Sequence, residues 1–196
     1  MSAGANRRKC NSLRACTRAG GFTLIELLIT VAVLAVVLAI AAPSFRGMVN
    51  GNRITAAANE FVGLLQSAKM ESIRRNGRVT VCPSTNGTSC GGANWRRVIV
   101  LAPDGVTVLR DQTVSADVLV SVSGSISGAS ANTIVFRSDG LAREGTTRTI
   151  LTGKVRVCMD TTRPVLNARH ISVSGARVSV DPALTSASCT TTVPNA

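Results

Sequence analysis

Few residues of this chain have side chains suited to catalysis, and they are scattered. His170 is the only histidine, and its place between Arg169 and Ile171 is most simply an exposed strand position. The sequence has no Gly-x-Ser-x-Gly motif, no phosphate-binding loop and no dinucleotide fingerprint. We therefore expect no catalytic residues, no cofactor and no enzyme activity.

Cysteines are the next candidates for chemistry. Of the six, Cys82, Cys90, Cys158 and Cys189 follow the longest apolar run, and the other two precede it. An even number in an exported domain suggests two disulfides, although four cysteines allow three pairings. The short loop from Cys82 to Cys90 is the easiest to close, which leaves Cys158 with Cys189. The spacings fit no zinc finger or ribbon, so we expect no metal site.

An apolar run from Phe22 to Ala42 carries a single charge, Glu26. As a helix rising about 1.5 Å per residue, it spans roughly 30 Å, the hydrocarbon thickness of a membrane. The segment before it is basic and holds no long apolar stretch, unlike an ordinary secretory signal. We expect one inner-membrane span at about 22–42, with a cytoplasmic N-terminus and a periplasmic C-terminal domain.

Glu26 needs an explanation, because a carboxylate inside a membrane span is costly and usually has a partner. Cleavage before Phe22 would create a positive α-amino group that could neutralise Glu26 of a neighbouring subunit. The alternative is a glutamate near the end of a plain anchor, with its carboxylate reaching the membrane surface. From the residues alone the two interpretations are comparable.

The N-terminal features together resemble the N-terminus of type IV pilins and type II secretion pseudopilins. They are the basic leader, Gly21, the segment Phe22-Thr23-Leu24-Ile25-Glu26, the apolar run and Pro43. The resemblance implies that a prepilin peptidase removes the leader, residues 1–21, by cutting after Gly21, and then methylates Phe22. It also implies that Glu26 acts in subunit assembly and that Pro43 kinks the helix.

Helical periodicity resumes beyond Pro43. The apolar positions at helical spacing are Ile54, Ala57, Ala58, Phe61, Leu64, Leu65, Ala68 and Ile73. Asn76-Gly77 is a stop signal, with Gly77 suited to a left-handed cap. We predict one helix over residues 22–76, whose second half is amphipathic and packs on the domain that follows.

Residues 77–196 read as short strands separated by Gly, Asn, Asp and Pro. The predicted strands are Val79–Cys82, Arg97–Ala102, Thr107–Arg110, Val118–Val122, Thr133–Phe136, Arg148–Leu151, Val155–Cys158, Arg169–Val173 and Ala176–Val180. The small, polar segment Gly124–Ala131 is predicted to be a flexible loop. The fold class is therefore α+β, a long N-terminal helix packed on a C-terminal antiparallel β-sheet domain.

The soluble half resembles the minor pilin/pseudopilin family GspH/FimT over most of the mature chain. The residues that carry this resemblance are Asn76-Gly77, a Val-x-Val-Cys-Pro strand, the Cys82–Cys90 loop, Trp95 and the segment 134–140. The Cys82–Cys90 loop favours the FimT branch, found with type IV pili. This implies a minor pilin whose partners are prepilin peptidase and other pilins or pseudopilins. The alternative is minor pseudopilin H of a type II secretion system, near the tip of the periplasmic pseudopilus.

The charge balance raises the question of DNA. The formal net charge is +12; five of the 22 basic residues and no acid lie before Phe22, so the remainder is about +7. Basicity favours anionic partners. Members of the FimT branch are linked to DNA uptake through a Gly-Arg-x-Arg pattern, of which Gly175 and one arginine remain here. Five basic residues at this end could hold phosphates by charge: Lys154, Arg156, Arg163, Arg169 and Arg177. The alternative is a solvated β-face.

Overall fold

The computed structural model describes residues 21–195, and the chain divides into two compact units, Met1–Ala41 and Ala42–Ala196. The predicted leader thus lies outside the described residues except for Gly21. Over this range the elements are α1 (Leu24–Arg74), β1 (Val79–Pro83), β2 (Arg97–Leu101), β3 (Val108–Thr113), β4 (Leu119–Val122), β5 (Ile134–Phe136), β6 (Ala142–Arg143), β7 (Thr152–Cys158), β8 (Ala168–Ser174) and β9 (Arg177–Val180).

The first unit contains the start of α1. Thr23 Oγ1 accepts a hydrogen bond from the backbone N–H of Glu26 at 3.2 Å, which satisfies one of the free donors at the helix start. The Thr-x-x-Glu sequence is that of a capping box. From Leu24 to Ile40 the large apolar side chains are all exposed. The described residues contain one helix long and apolar enough to cross a membrane, and it is α1.

The second unit is built on the later half of α1. Seven of the eight predicted stripe positions are buried, from Ile54 to Ala68, whereas Ile73 is 46% exposed. These side chains share one core cluster with inward-facing residues of both sheets, such as Val81 and Ile171, and with Trp95 in the turn before β2. Burial of this apolar stripe is what holds the helix on the sheets.

Two antiparallel sheets complete the second unit. The first has the strand order β3-β2-β1-β5-β6, and the second has the order β4-β7-β8-β9. In the second sheet Arg156 of β7 lies opposite His170 of β8. The odd-numbered residues of β7 and β8, such as Val155 and Ile171, face the core, so the even-numbered ones face outward. The predicted α+β class is confirmed.

Eight of the nine predicted strands are present, and one is wrong. Arg148–Leu151 is not a strand, because Ile150 alone forms an isolated bridge, to Arg143. The partner strand β6 is two residues long and was not predicted. Residues 144–149 instead close a turn in which the N–H of Glu144 donates to the carbonyl of Thr149 at 3.0 Å.

The predicted flexible loop at Gly124–Ala131 is also wrong. Ser125–Ala129 forms a single π-helical turn. Its anchor is Ile126, which is fully buried against β7. The space for Ile126 comes from Gly153, where an added Cβ would lie 2.9 Å from Ile126 Cγ1.

The end of α1 differs in detail from the prediction. The residue with positive φ is Asn76 (φ 47°), not Gly77. The N–H groups of Gly77 and Asn76 donate to the carbonyls of Ser72 and Ile73, which is the Schellman pattern. Gly77 is needed for another reason: an added Cβ would lie 2.7 Å from Cγ of Pro103.

Candidate functional site

The predicted processing site lies at the start of the described chain. Gly21 and Phe22 precede α1, and Phe22 is 85% exposed. Gly21 and Phe22 thus lie outside regular structure. Cleavage after Gly21 and methylation of Phe22 stay predictions.

Glu26 lies in the first turn of α1 among exposed apolar side chains. Its backbone N–H is capped by Thr23, but within residues 21–195 its carboxylate makes no ion pair or hydrogen bond. A negative charge therefore stands alone on an otherwise apolar surface. Inside a membrane such a charge is costly, so it needs a cation from beyond the described residues, or the membrane surface.

The helix continues through residue 43 without a break in its assignment. The kink assigned to Pro43 stays a prediction. Beyond it, α1 carries two glycines on one face. Gly47 and Gly51 lie against the β7–β8 connection, within 3.7 Å of Arg163 Cβ and 3.6 Å of Pro164 Cγ respectively, as measured from an added Cβ.

Both disulfides favoured by loop closure are present, Cys82–Cys90 and Cys158–Cys189. The first closes the loop after β1. The second ties the end of β7 to residues 182–195, which we call the C-terminal strap. The strap is also joined to the second sheet by bridges between Ala168 and Leu184 and between Ser123 and Val193. It therefore covers part of the outward face of that sheet.

Arg156 has a structural place rather than a surface one. It is 3% exposed, and its guanidinium donates to the carbonyl of Cys189 at 2.7 Å, to Thr191 Oγ1 at 2.9 Å and to the carbonyl of Thr191. It also donates to Ser121 Oγ at 3.2 Å. Burial lowers the pKa of Arg156 from its ordinary value. In this structure Arg156 holds the strap and is not available to a phosphate.

His170 is buried, so the expected exposed position is wrong. It is 8% exposed on the outward face of β8, opposite Arg156 of β7. Its Nε2 makes no hydrogen bond within the described residues. Burial lowers the pKa of His170, and the positive charges of Lys154 and Arg156 lower it further, against a smaller opposite effect of Asp181. The imidazole is thus held neutral.

Arg177 borders an open groove between α1 and the edge strand β9. Lys69 of α1 donates to the carbonyl of Ala176 at 2.8 Å, which seats the β8–β9 turn on the helix. The groove has a volume of about 540 Å³ and is lined by Gln66, Lys69, Met70, Ala176, Arg177 and Val178. Two cations therefore flank one concave surface.

The other predicted phosphate ligands lie elsewhere. Lys154 Nζ is 3.6 Å from Asp181 Oδ2 on the outward face of the second sheet. Arg163 is exposed beside Gly47 and Gly51, and Arg169 is partly buried on β8. Gly51 and Lys69 are 18 residues apart on α1, or about 27 Å. The five residues do not form one cluster.

The sequence did not predict that Lys69 lies near Arg177, or that Arg156 binds the C-terminal strap. Lys69 follows the buried Ala68 on the stripe, which places it at the border of the packed face. That position is a usable signal for a cation beside the sheet edge. No local signal marks Arg156, because its acceptors lie more than 30 residues away along the chain, on either side of it.

Nothing in residues 21–195 suggests a metal centre, since no group of three or more His, Cys, Asp or Glu side chains there is placed to hold an ion. The one histidine of this region, His170, has a buried Nε2 that pairs with no nucleophile there.

Comparisons with known proteins identify a family and a similar fold. Residues 57–181 match the family described as "Type II transport protein GspH", and residues 16–42 match the "Prokaryotic N-terminal methylation motif". No curated protein matches the chain. A crystal structure of the type IV minor pilin FimU of Pseudomonas aeruginosa is similar, with 16% identity, a TM-score of 0.51, and coverage of 70% of this chain and 96% of that one. A second crystal form of FimU gives a TM-score of 0.49 at 16% identity, covering 69% and 98%. At this identity the likeness shows the fold alone.

Proposed function

Since the chain belongs to the GspH family of type IV pilin-like proteins, we propose that it is a minor pilin that is cleaved after Gly21 and then assembles through α1. The observation that carries this proposal is the start of α1: an exposed apolar helix with one carboxylate, Glu26, that lacks a partner within the described subunit. The family is one of structural pilins and pseudopilins, so the proposal assigns assembly and not catalysis.

The proposed assembly step is charge pairing. Cleavage at Gly21 frees the α-amino group of Phe22, and that group on one subunit pairs with Glu26 on the next. In a bundle of apolar helices the surroundings are poor in water, so the attraction between the two charges is stronger than at a protein surface. An unpaired carboxylate there is costly, which makes a subunit without its neighbour the less stable state.

Filament incorporation of Glu26 variants tests this step. Both Glu26→Ala and Glu26→Gln should insert in the membrane normally but enter the filament poorly, because Gln keeps the shape and loses the charge. Glu144→Gln, which removes an acid from the folded domain, is the matched control and should assemble normally. The readout is the ratio of sheared filament to membrane fraction by immunoblot. Normal incorporation of Glu26→Gln would contradict charge pairing.

We favour a type IV pilus as the filament that receives the chain, supported by the Cys82–Cys90 loop and by the fold shared with a type IV minor pilin. A type II secretion pseudopilus is the alternative, which the description of the matching family favours. Deletion of the gene separates them. Loss of surface pili with normal protein secretion supports the pilus, and loss of secretion with normal piliation supports the pseudopilus.

DNA binding is a second candidate function, favoured by the two cations at the groove between α1 and β9. A fragment of residues 44–196 keeps the complete core of the second unit. It should bind duplex DNA weakly, with affinity falling steeply as salt rises, by a slope of about 0.9 per phosphate contacted. Arg177→Gln should reduce this slope, and Arg96→Gln, an exposed arginine beside β2, is the control. Binding that does not change with salt would eliminate the candidate.

A further inference from the structure

The connection between β7 and β8, residues 160–167, exposes apolar side chains although its backbone is firmly held. Val165 is 70% exposed and Leu166 is 52% exposed. At its two ends the connection is fixed: Asn167 Nδ2 donates to the carbonyl of Met159 at 3.0 Å, and Thr161 Oγ1 donates to the carbonyl of Arg163 at 2.9 Å. We call residues 160–167 the seated loop. Its two apolar side chains are therefore presented outward by an ordered backbone.

The seat of this loop is the part of α1 that follows the apolar run. Asn50 Nδ2 donates to the carbonyl of Arg163 at 3.0 Å, and Gly47 and Gly51 provide a surface without side chains on which Pro164 rests. Gly47 is five residues after Ala42, the end of the apolar run. Five residues extend over at most about 18 Å, so chain length alone keeps Gly47 within that distance of Ala42, the end of the membrane span.

The charges near the seated loop suit a phosphate-bearing surface. Arg163 in the loop and Arg46 in α1 are exposed, and neither takes part in an ion pair in the described part of the chain. The one acid of the loop, Asp160, accepts a hydrogen bond from the N–H of Cys189 at 3.1 Å. Phe45, 66% exposed, adds an aromatic side chain of the kind found on the apolar face of interfacial helices.

We propose that the seated loop is a membrane-contacting surface: Val165 and Leu166 enter the headgroup region, and Arg163 and Arg46 bind the phosphates of anionic phospholipids. This rests on the membrane anchoring in the proposed function and adds a second contact to the anchor. Partly apolar, partly basic segments bind at this depth, about 5–10 Å into the boundary between headgroups and acyl chains. The contact would hold the domain against the membrane before assembly and would be released when the subunit joins a filament.

The test uses the full mature chain in lipid nanodiscs with one chain per disc, and lipids that carry a spin label at shallow depth as quenchers. V165W reports on the loop. V106W is the matched control, because Val106 is 76% exposed in the β2–β3 turn. This turn is near the C-terminal end of α1, and that end lies about 35 Å along the helix from Gly51. The native Trp95, fully buried, gives the baseline. Fluorescence of V165W should be quenched at least about twofold more strongly than that of V106W, given the expected depth.

The charge contribution is measured separately. In discs with phosphatidylglycerol, replacing Arg163 by Gln in the V165W chain should weaken loop binding by about fivefold, the usual contribution of one arginine near an anionic surface. In discs of phosphatidylcholine alone the same replacement should change little. An equal effect in both lipids would overturn the phosphate contact, and L166W gives a second reporter if V165W misfolds.

Three results would overturn the proposal. The first is equal quenching of V165W and V106W in discs that hold the inserted chain. The second is quenching of V165W that requires two chains per disc, since the occupant of the surface would then be a second copy. The third is a chain that does not enter discs at all, which would overturn the anchoring as well; insertion by a flotation assay distinguishes this failure from the first.

Discussion

Replacement of Arg156 by methionine should destabilise the folded domain by about 3 kcal/mol, mainly by detaching the C-terminal strap. Arg156 is 3% exposed, and its guanidinium donates four hydrogen bonds, three of which link β7 to Cys189 and Thr191 of the strap. Methionine keeps much of the apolar stem and removes every donor. The carbonyl groups of the strap then lose their partners.

The magnitude follows from two opposing effects. Hydrogen bonds from a charged donor contribute about 1.5–3 kcal/mol each, so four would contribute about 6–12 kcal/mol if burial had no cost. Burying a guanidinium costs several kcal/mol, and the same burial lowers the pKa of Arg156. Breaking a buried charged network costs about 3–5 kcal/mol, and the strap lies at the surface, where water can replace part of the loss. These limits give about 3 kcal/mol.

Urea unfolding of the fragment of residues 44–196, followed by the fluorescence of the buried Trp95, measures the change. The control is Arg169→Met, on the neighbouring strand β8. The side chain of Arg169 makes no hydrogen bond among residues 21–195, so its loss should cost less than about 1 kcal/mol. Hydrogen exchange of residues 182–195 should also rise in Arg156→Met. Equal stability of the two variants, or unchanged exchange in the strap, would refute the assignment of Arg156.

Three further predictions concern the same domain. The pKa of His170 is lowered from its ordinary 6.5, so near and below pH 6.5 the unfolded chain binds more protons than the folded chain. The free energy of unfolding should therefore fall from pH 7 to pH 5 in the parent, and fall less in His170→Gln. Gly77→Ala should lower the free energy of unfolding by about 1–3 kcal/mol, since its Cβ would overlap Pro103. Peptide mapping without reductant should find Cys82 linked to Cys90.

Each of these has a clear contrary result. A parent and a His170→Gln chain with the same pH dependence would mean that His170 titrates normally when folded. The carboxylates with lowered pKa values, such as Glu71 at about 2, lose their contribution only in more acidic solution and do not interfere. A Gly77→Ala chain as stable as the parent would show that Pro103 moves freely. A link from Cys82 to any other cysteine would refute the pairing.

Sequence periodicity was sufficient for the regular elements. The buried stripe from Ile54 to Ala68 and eight of nine strands follow from local patterns of apolar residues, because each pattern is read within one element. The N-terminal motif likewise lies in one short segment, Gly21 to Glu26. The local pattern was misleading at Arg148–Leu151. That segment has the apolar pattern of a strand, but its neighbour β6 is too short to pair with it.

The candidate site depended on contacts that are distant in sequence. Arg156 alternates with buried valines, so its side chain was expected on a solvated face, and only the strap, some 33 residues later, buries it. His170, expected at an exposed strand position, is likewise buried. The π-helical turn at Ser125–Ala129 forms because Gly153, on another strand, leaves room for Ile126. Such tertiary effects override local propensity.

The central claim is that the chain is processed and assembled as a pilin, and the mass of its N-terminal peptide tests this most directly. Protein should be isolated from the membrane and from sheared filaments of cells that carry prepilin peptidase. The account predicts a peptide that begins at Phe22 and carries one methyl group on its α-amino nitrogen. A filament-borne chain that still begins at Met1, or that begins at any residue other than Phe22, would contradict it.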